Sequence, residues 1–152
     1  MPLTETQDKL SKLIKTGFEA IPKYSESEMV YKVSTKKWSK KEILGHLIDS
    51  GINNLQRFTE IQFTTAIPYK IRNYSQNELV KANDYQNAET KEIAEFWKAI
   101  NNRILYLFSI QNEKLLNTEI IFENGDTSDL KFLMEDYVNH LEHHLNQILD
   151  KS

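Results

Sequence analysis

Residues 137–149 read YVNHLEHHLNQIL. Tyr137, Val138, Leu141, Leu145 and Leu149 recur at helical spacing, so the segment is predicted to form an amphipathic helix with one apolar face. At 100° per residue, His140 and His144 project from one side of that helix, about 40° apart, on the margin of the apolar face. Two imidazoles on consecutive turns can grip one metal ion. His143 stands about 100° from His144 and faces outward, so it is left outside the predicted ligand set. The helix is predicted to start near Ser128, after the turn- and cap-forming run NGDTSD, and to continue through the last residues.

One other histidine exists. His46 lies in GHLIDSGINNLQRF, again at helical periodicity. Ile43, Leu44, Leu47, Ile48, Gly51, Leu55 and Phe58 fill one arc of the wheel, while His46, Ser50, Asn53 and Arg57 share the neighbouring stripe. The second helix therefore repeats the layout of the last one: an apolar face with histidine at its edge. A third imidazole from another helix would complete a three-histidine site with open coordination positions, which is what separates a catalytic metal from a structural one.

Two further segments carry the same period. The first runs from about Thr4 to Ala20, with Thr4 and Gln7 at capping-box spacing and Pro22 as its stop. Another spans about Glu89 to Gln111, with Ile93, Phe96, Trp97, Ile100, Ile104, Leu107 and Phe108 on one stripe. The helix bearing His46 opens at Ser39, three residues before Glu42, and is predicted to reach about Ala66, ahead of Pro68. Between Pro68 and Ala88 the connection is long, and Ser75 with Glu78 suggests a short helix inside it. EIIFENGD, residues 119–126, suggests a small ribbon turning at Asn124-Gly125. The predicted fold is all-α: one domain over residues 1–152, a four-helix bundle with at least one long crossover.

Composition agrees. The 152 residues are 39% hydrophobic and 27% charged, as in ordinary globular proteins. The opening MPLTETQDKL has neither the basic region nor the apolar run of a signal peptide, and no apolar stretch approaches the roughly 20 residues that span a membrane. A cytoplasmic protein without membrane partners is expected. The net charge of −3 argues against nucleic acid as a partner. The sequence contains no cysteine, which excludes disulfides, thiolate metal sites and a cysteine nucleophile from it.

WSKKEILGHLIDS (38–50), then Arg57-Phe58, then DYVNHLEHHLNQI (136–148) resemble the DinB-like superfamily of small metalloproteins, which includes bacillithiol-transferase relatives. The likeness runs from about Leu3 to Leu149. It implies an antiparallel-type four-helix bundle holding one divalent metal through His46, His140 and His144, and it implies a homodimer. It further implies transfer of a low-molecular-weight thiol to an electrophile, or hydrolysis as in some members. In chemical terms, a three-histidine metal leaves room for a thiol, whose thiolate form it favours, or for a water, whose pKa it lowers to about 7. Zinc or nickel is expected first, with iron and manganese also in scope.

Other polar groups near the histidines are candidates for the chemistry. Asp49 and Asp136, three residues after His46 and four before His140, are placed to accept an imidazole N–H or to act as acid or base. Arg57 suits a substrate carboxylate, or an ion pair with Asp136 or Glu142. The run KKWSKK, Lys36 to Lys41, suits an acidic ligand or a solvated helix start, and Trp38 suits a hydrophobic residue packed before the cap. Tyr69, Tyr74 and Tyr85 are expected to cover one end of the bundle. The leading expectation is a thiol transferase acting on a small molecule, with a metal-dependent hydrolase as the alternative and a non-catalytic metal- or ligand-binding bundle as the third reading. Trp97, Tyr106 and Phe108 spread beyond one stripe and hint at where a second copy would pair.

Overall fold

Each apolar stripe becomes the buried face of a long helix in the computed structural model, which describes residues 3–151. In chain order the elements are α1 (Thr4–Ala20), α2 (Glu26–Val30), α3 (Lys40–Glu60), β1 (Tyr69–Lys70), α4 (Gln76–Ala82), α5 (Thr90–Ser109), α6 (Glu113–Leu116), β2 (Glu119–Ile121), β3 (Thr127–Asp129) and α7 (Leu130–Ile148). One-turn 3₁₀ segments follow α1 and α4. Leu10, Ile14, Leu44, Leu47, Ile48, Trp97, Ile104, Leu141 and Leu145 meet in the core. Among the described residues no helix is long and apolar enough to cross a membrane.

The four long helices form a ring in which α1 and α3 each pack between α5 and α7. Their directions follow from who meets whom. Gly17 lies against Trp97 and Leu145, while the Gln7 side chain reaches the Phe108 carbonyl and Lys9 reaches Asn139. So α1 runs antiparallel to α5 and parallel to α7. Gly51 lies against Ile100 and Tyr137, and the Phe58 ring meets Phe108, which makes α3 and α5 parallel neighbours. The expected antiparallel arrangement therefore holds for only two of the four neighbouring pairs. The cause is the connection 61–89, which travels the length of the bundle and returns the chain to the end where α3 began.

That crossover is stitched down by a strand the sequence did not announce. β1 pairs in parallel with β2 (Tyr69 opposite Ile120), and β2 pairs antiparallel with β3 (Glu119 opposite Asp129). The β2–β3 turn forms at Asn124-Gly125, where Gly125 has a φ of 92°, a conformation glycine adopts without steric cost. The ribbon closes the end of the bundle where α3 finishes and α7 starts.

Helix ends differ from expectation in instructive ways. Ser39 and Glu42 do make a capping box, at 3.1 and 3.0 Å. So do Ser25 and Glu28, which start α2, a helix too short for its periodicity to be noticed. Gln7, however, spends its amide on the Phe108 carbonyl, and Leu3 is the N-cap of α1. α4 begins after Ser75 with no side-chain cap. α7 is capped by Asp129, whose carboxylate accepts from the Phe132 N–H at 2.9 Å, while Ser128 belongs to β3. α3 stops at Glu60 and not near Ala66. Its last bonds tighten to three-residue spacing at Gln62 and Phe63, and the β-branched pair Thr64-Thr65 does nothing to extend it.

Candidate metal centre

Three histidines converge. His46 is fully buried on α3, and His140 and His144 are half-buried on α7. Their ligand nitrogens all lie within 4.8 Å of one another. The Nε2 atoms of His46 and His140 are 3.2 Å apart, and the His144 ring stands 4.7 and 4.5 Å from the other two centroids. His143 is exposed, beside His144 but outside the cluster.

The rings are prepared for a cation. Burial, reinforced by the neighbouring histidines, pushes His46 down to about 3 and His140 to about 4, and burial also lowers His144. All three are neutral near pH 7, with lone pairs available. His144 Nδ1 donates to Gln147 Oε1 at 2.8 Å, which leaves Nε2 as its free acceptor. Two imidazole nitrogens facing each other at 3.2 Å repel unless a proton or cation lies between them. For metal–nitrogen bonds of about 2.0–2.1 Å at tetrahedral angles, ligand nitrogens sit roughly 3.3 Å apart. The residues fit a divalent metal.

Of the three histidines His140 lines a cavity of about 510 Å³ between α3, α7 and the crossover, together with Asp136, Tyr137, Ser50, Asn54, Arg57 and Tyr74. Asp136 is exposed on its wall. Arg57 is half-buried, donating to the Asn54 side chain at 3.3 Å and the Arg72 carbonyl at 2.5 Å, with Tyr74 under its guanidinium. Burial lowers its pKa, and Tyr74 and Tyr69 push it back up. Neither expected ion pair forms: among the described residues Glu142 pairs with Lys9, and no carboxylate pairs with Arg57.

The sequence model of the DinB superfamily matches residues 3–148. The chain belongs to the DinB superfamily. Among solved structures, YfiT from Bacillus subtilis, described as a probable metal-dependent hydrolase with an unusual four-helix bundle topology, superposes with a TM-score of 0.84 at 18% identity, over 96% of this chain and 83% of that one. A mycothiol-dependent maleylpyruvate isomerase superposes with a TM-score of 0.71 at 13% identity; 95% of this chain aligns, spanning 60% of the isomerase. A DinB-like protein from Bacillus cereus gives 0.64 at 14% identity, over 95% and 86%. At these identities the likeness is one of fold. A comparison with functionally curated proteins found no match.

In this DinB superfamily member Asp49 has a different neighbourhood from the one expected. It is buried, and its Oδ1 accepts from the Tyr85 hydroxyl at 2.6 Å and the Asn83 amide at 3.0 Å, with no hydrogen bond to His46. Burial raises its pKa, and the two donors partly restore it. His46 Nδ1 and Asp49 Oδ2 are both buried without a hydrogen-bond partner. Tyr85 reaches Asp49 because Gly45 lets its ring lie flat on α3; a Cβ there would meet the ring at 2.1 Å. The group that orients His144 is an amide, Gln147, where the sequence suggested carboxylates.

The basic run is structural at its helical end. Lys41 is buried against Glu26 and the Ala88 carbonyl. Lys40 donates to the Ile148 carbonyl at 2.5 Å and pairs with Asp150, capping the C-terminus of α7. Lys36 and Lys37 are exposed. Trp38 lies over His46, centroids 4.9 Å apart, and so walls one side of the centre. The sequence assigned Trp38 to packing before the cap; its adjacency to Ser39 gave no sign that the ring lies against a histidine about two turns into α3.

Proposed function

We propose that the chain is a divalent-metal-dependent enzyme that transfers a low-molecular-weight thiol to a small electrophile. The observation that carries this reading is the convergence of three neutral imidazoles from α3 and α7, one of which, His140, lines a cavity. A divalent ion held by His46, His140 and His144, with zinc or nickel first and iron or manganese after them, would favour the anionic form of a thiol or water near neutral pH. The chain's own residues supply the rest. Trp38 shields His46 from solvent, Gln147 fixes the His144 tautomer, and the Asp49–Tyr85–Asn83 group braces the turn of α3 that follows His46. Asp136, exposed on the cavity wall one turn before His140, takes the proton released when the nucleophile ionises. The sequence has no cysteine, so the sulfur comes from a co-substrate. The fold shared with a mycothiol-dependent isomerase supports a thiol in that role.

A metal-dependent hydrolase acting through ionised water is the second reading. Asp136 favours it, as a carboxylate that pairs with no cation among the described residues, on the wall where a water would lose its proton, and so does the description of YfiT. Cobalt-substituted protein decides between them. Adding a small thiol is expected to produce sulfur-to-metal charge-transfer absorption that His144→Ala abolishes. An unchanged spectrum, with ester or amide cleavage rising around an apparent pKa near 7, selects the hydrolase. Neither signal selects a non-catalytic binding bundle. In either enzymatic reading Asp136→Asn should slow turnover by about 10²–10⁴-fold while leaving metal content unchanged. The working unit is proposed to be a homodimer.

A further inference from the structure

Arg57 is a cation that the protein folds partly out of water, and among the described residues no carboxylate pairs with it. Its two hydrogen bonds go to neutral oxygens, the Asn54 side chain and the Arg72 carbonyl. A guanidinium has five N–H donors, so most of the planar fork remains unassigned. The acidic groups nearby are otherwise placed. Glu60, one turn on, acts on the Tyr69 hydroxyl, and Asp136 stands exposed on α7 across the cavity; among the described residues neither carboxylate forms an ion pair. Burying an unpaired charge costs free energy that a carboxylate ligand would return, and the fork matches a carboxylate bidentately.

Position defines the ligand further. Arg57 and His140 line the same cavity, at its two ends along α3 and α7. Arg57 also borders a second, polar cavity of about 580 Å³ that carries Arg72 and Lys70 on its rim. Eleven residues separate His46 from Arg57, roughly 16 Å of helix axis before the two side chains reach toward each other. A compact acid anchored at the histidines falls short of Arg57.

We infer that Arg57 is a specificity-determining residue, binding the carboxylate of an elongated ligand whose reactive end lies at the histidines. This rests on the metal-centre reading above. The carboxylate belongs either to the thiol or to its electrophilic partner, and the same chemistry recognises both.

The test is a molecular ruler. Cobalt-loaded protein is titrated with mercaptoacetate, mercaptohexanoate and mercaptoundecanoate, each beside the matching mercaptoalcohol, and followed by the sulfur-to-metal band. Acid and alcohol should bind alike at the shortest length. One of the longer acids should bind at least about tenfold more tightly than its alcohol. Arg57→Gln should erase that preference and leave the alcohols unaffected, and Arg57→Lys, which keeps charge but loses the fork, should reduce it by less. Should Arg57→Gln melt early, the lysine variant still decides. A second titration adds suberate to protein saturated with mercaptoethanol: binding alongside the thiol assigns the carboxylate to the electrophile, and competition assigns it to the thiol. Equal affinity of acids and alcohols at every length, or a preference that survives Arg57→Gln, overturns the inference. Absence of any sulfur band, with Arg57-dependent suberate binding intact, overturns the thiol reading alone.

Discussion

At the scale of single residues, the three buried or half-buried imidazoles link metal binding, proton binding and stability. One divalent ion per chain is expected in untagged protein; His46→Ala, His140→Ala and His144→Ala should each lose it, while His143→Ala keeps it. Metal analysis checks this, and retention in His140→Ala with loss in His143→Ala would reverse the ligand choice. The same groups make the metal-free protein acid-sensitive. In the unfolded chain a histidine gains its proton near pH 6.5, whereas in the folded protein His140 waits until about 4 and His46 until about 3. The unfolded state therefore holds more protons between those values, so folding stability is intact above about pH 6.5 and is lost as the pH falls through that window. His46 alone contributes a slope of up to about 1.4 kcal/mol per pH unit. Melting the metal-free wild type and His46→Gln from pH 7 to pH 5 should show a shallower loss in the variant; parallel curves would remove His46 as the cause.

At the scale of elements, periodicity identified all four long helices because each buries a continuous apolar stripe. The wheels set His140 and His144 at the edge of such a stripe, where they are half-buried, whereas His46, read as marginal in the same way, is fully buried because Trp38 and α7 cover it. Ends and partners were less legible. The Ser39–Glu42 box forms, but Gln7 leaves Thr4 for a carbonyl on another helix, a choice made by tertiary packing. Asp49 was visible as a carboxylate near the site, yet its partner Tyr85 lies 36 residues on and is brought in by the crossover. The signal that hinted at it was Gly45, an interior helix residue of poor propensity standing beside a histidine. Gly45→Ala tests that link. The new methyl would overlap the Tyr85 ring, and overpacking of about 1–3 kcal/mol should outweigh the roughly 1 kcal/mol gained in helix propensity. A lower urea midpoint, accompanied by weakened metal retention, is the expected result. A midpoint raised above wild type would mean the ring moves aside freely and the Tyr85–Asp49 contact is dispensable.

On the scale of the whole molecule, the parallel pairing of α3 with α5 is what sets the centre against its cavity, because the crossover it requires lays Tyr74 and α4 along the open side of α3. Topology of this kind depends on which helices touch, and no single helix wheel contains that information. The same limit applies to surface. Trp97 and Phe108, read as hints of an interface, are core residues, and Tyr106 alone of that trio is exposed. The exposed apolar residues that do lie together are Ile52, Phe63 and Phe96, around a cavity of about 430 Å³ on the outer face of α3 and α5. Apolar patches rimmed by polar groups mark interaction surfaces. The proposed homodimer is expected to use this face, which lies on the flank of α3 that packs with α5, while the histidines meet α7. Light scattering at micromolar concentration should give twice the chain mass, and Phe96→Glu should give the single mass with metal content and the thiol-dependent cobalt spectrum retained. A wild-type monomer would remove the dimer from the proposal. A dimer indifferent to Phe96→Glu would move its interface to another face, and in neither case would the three-histidine centre be touched.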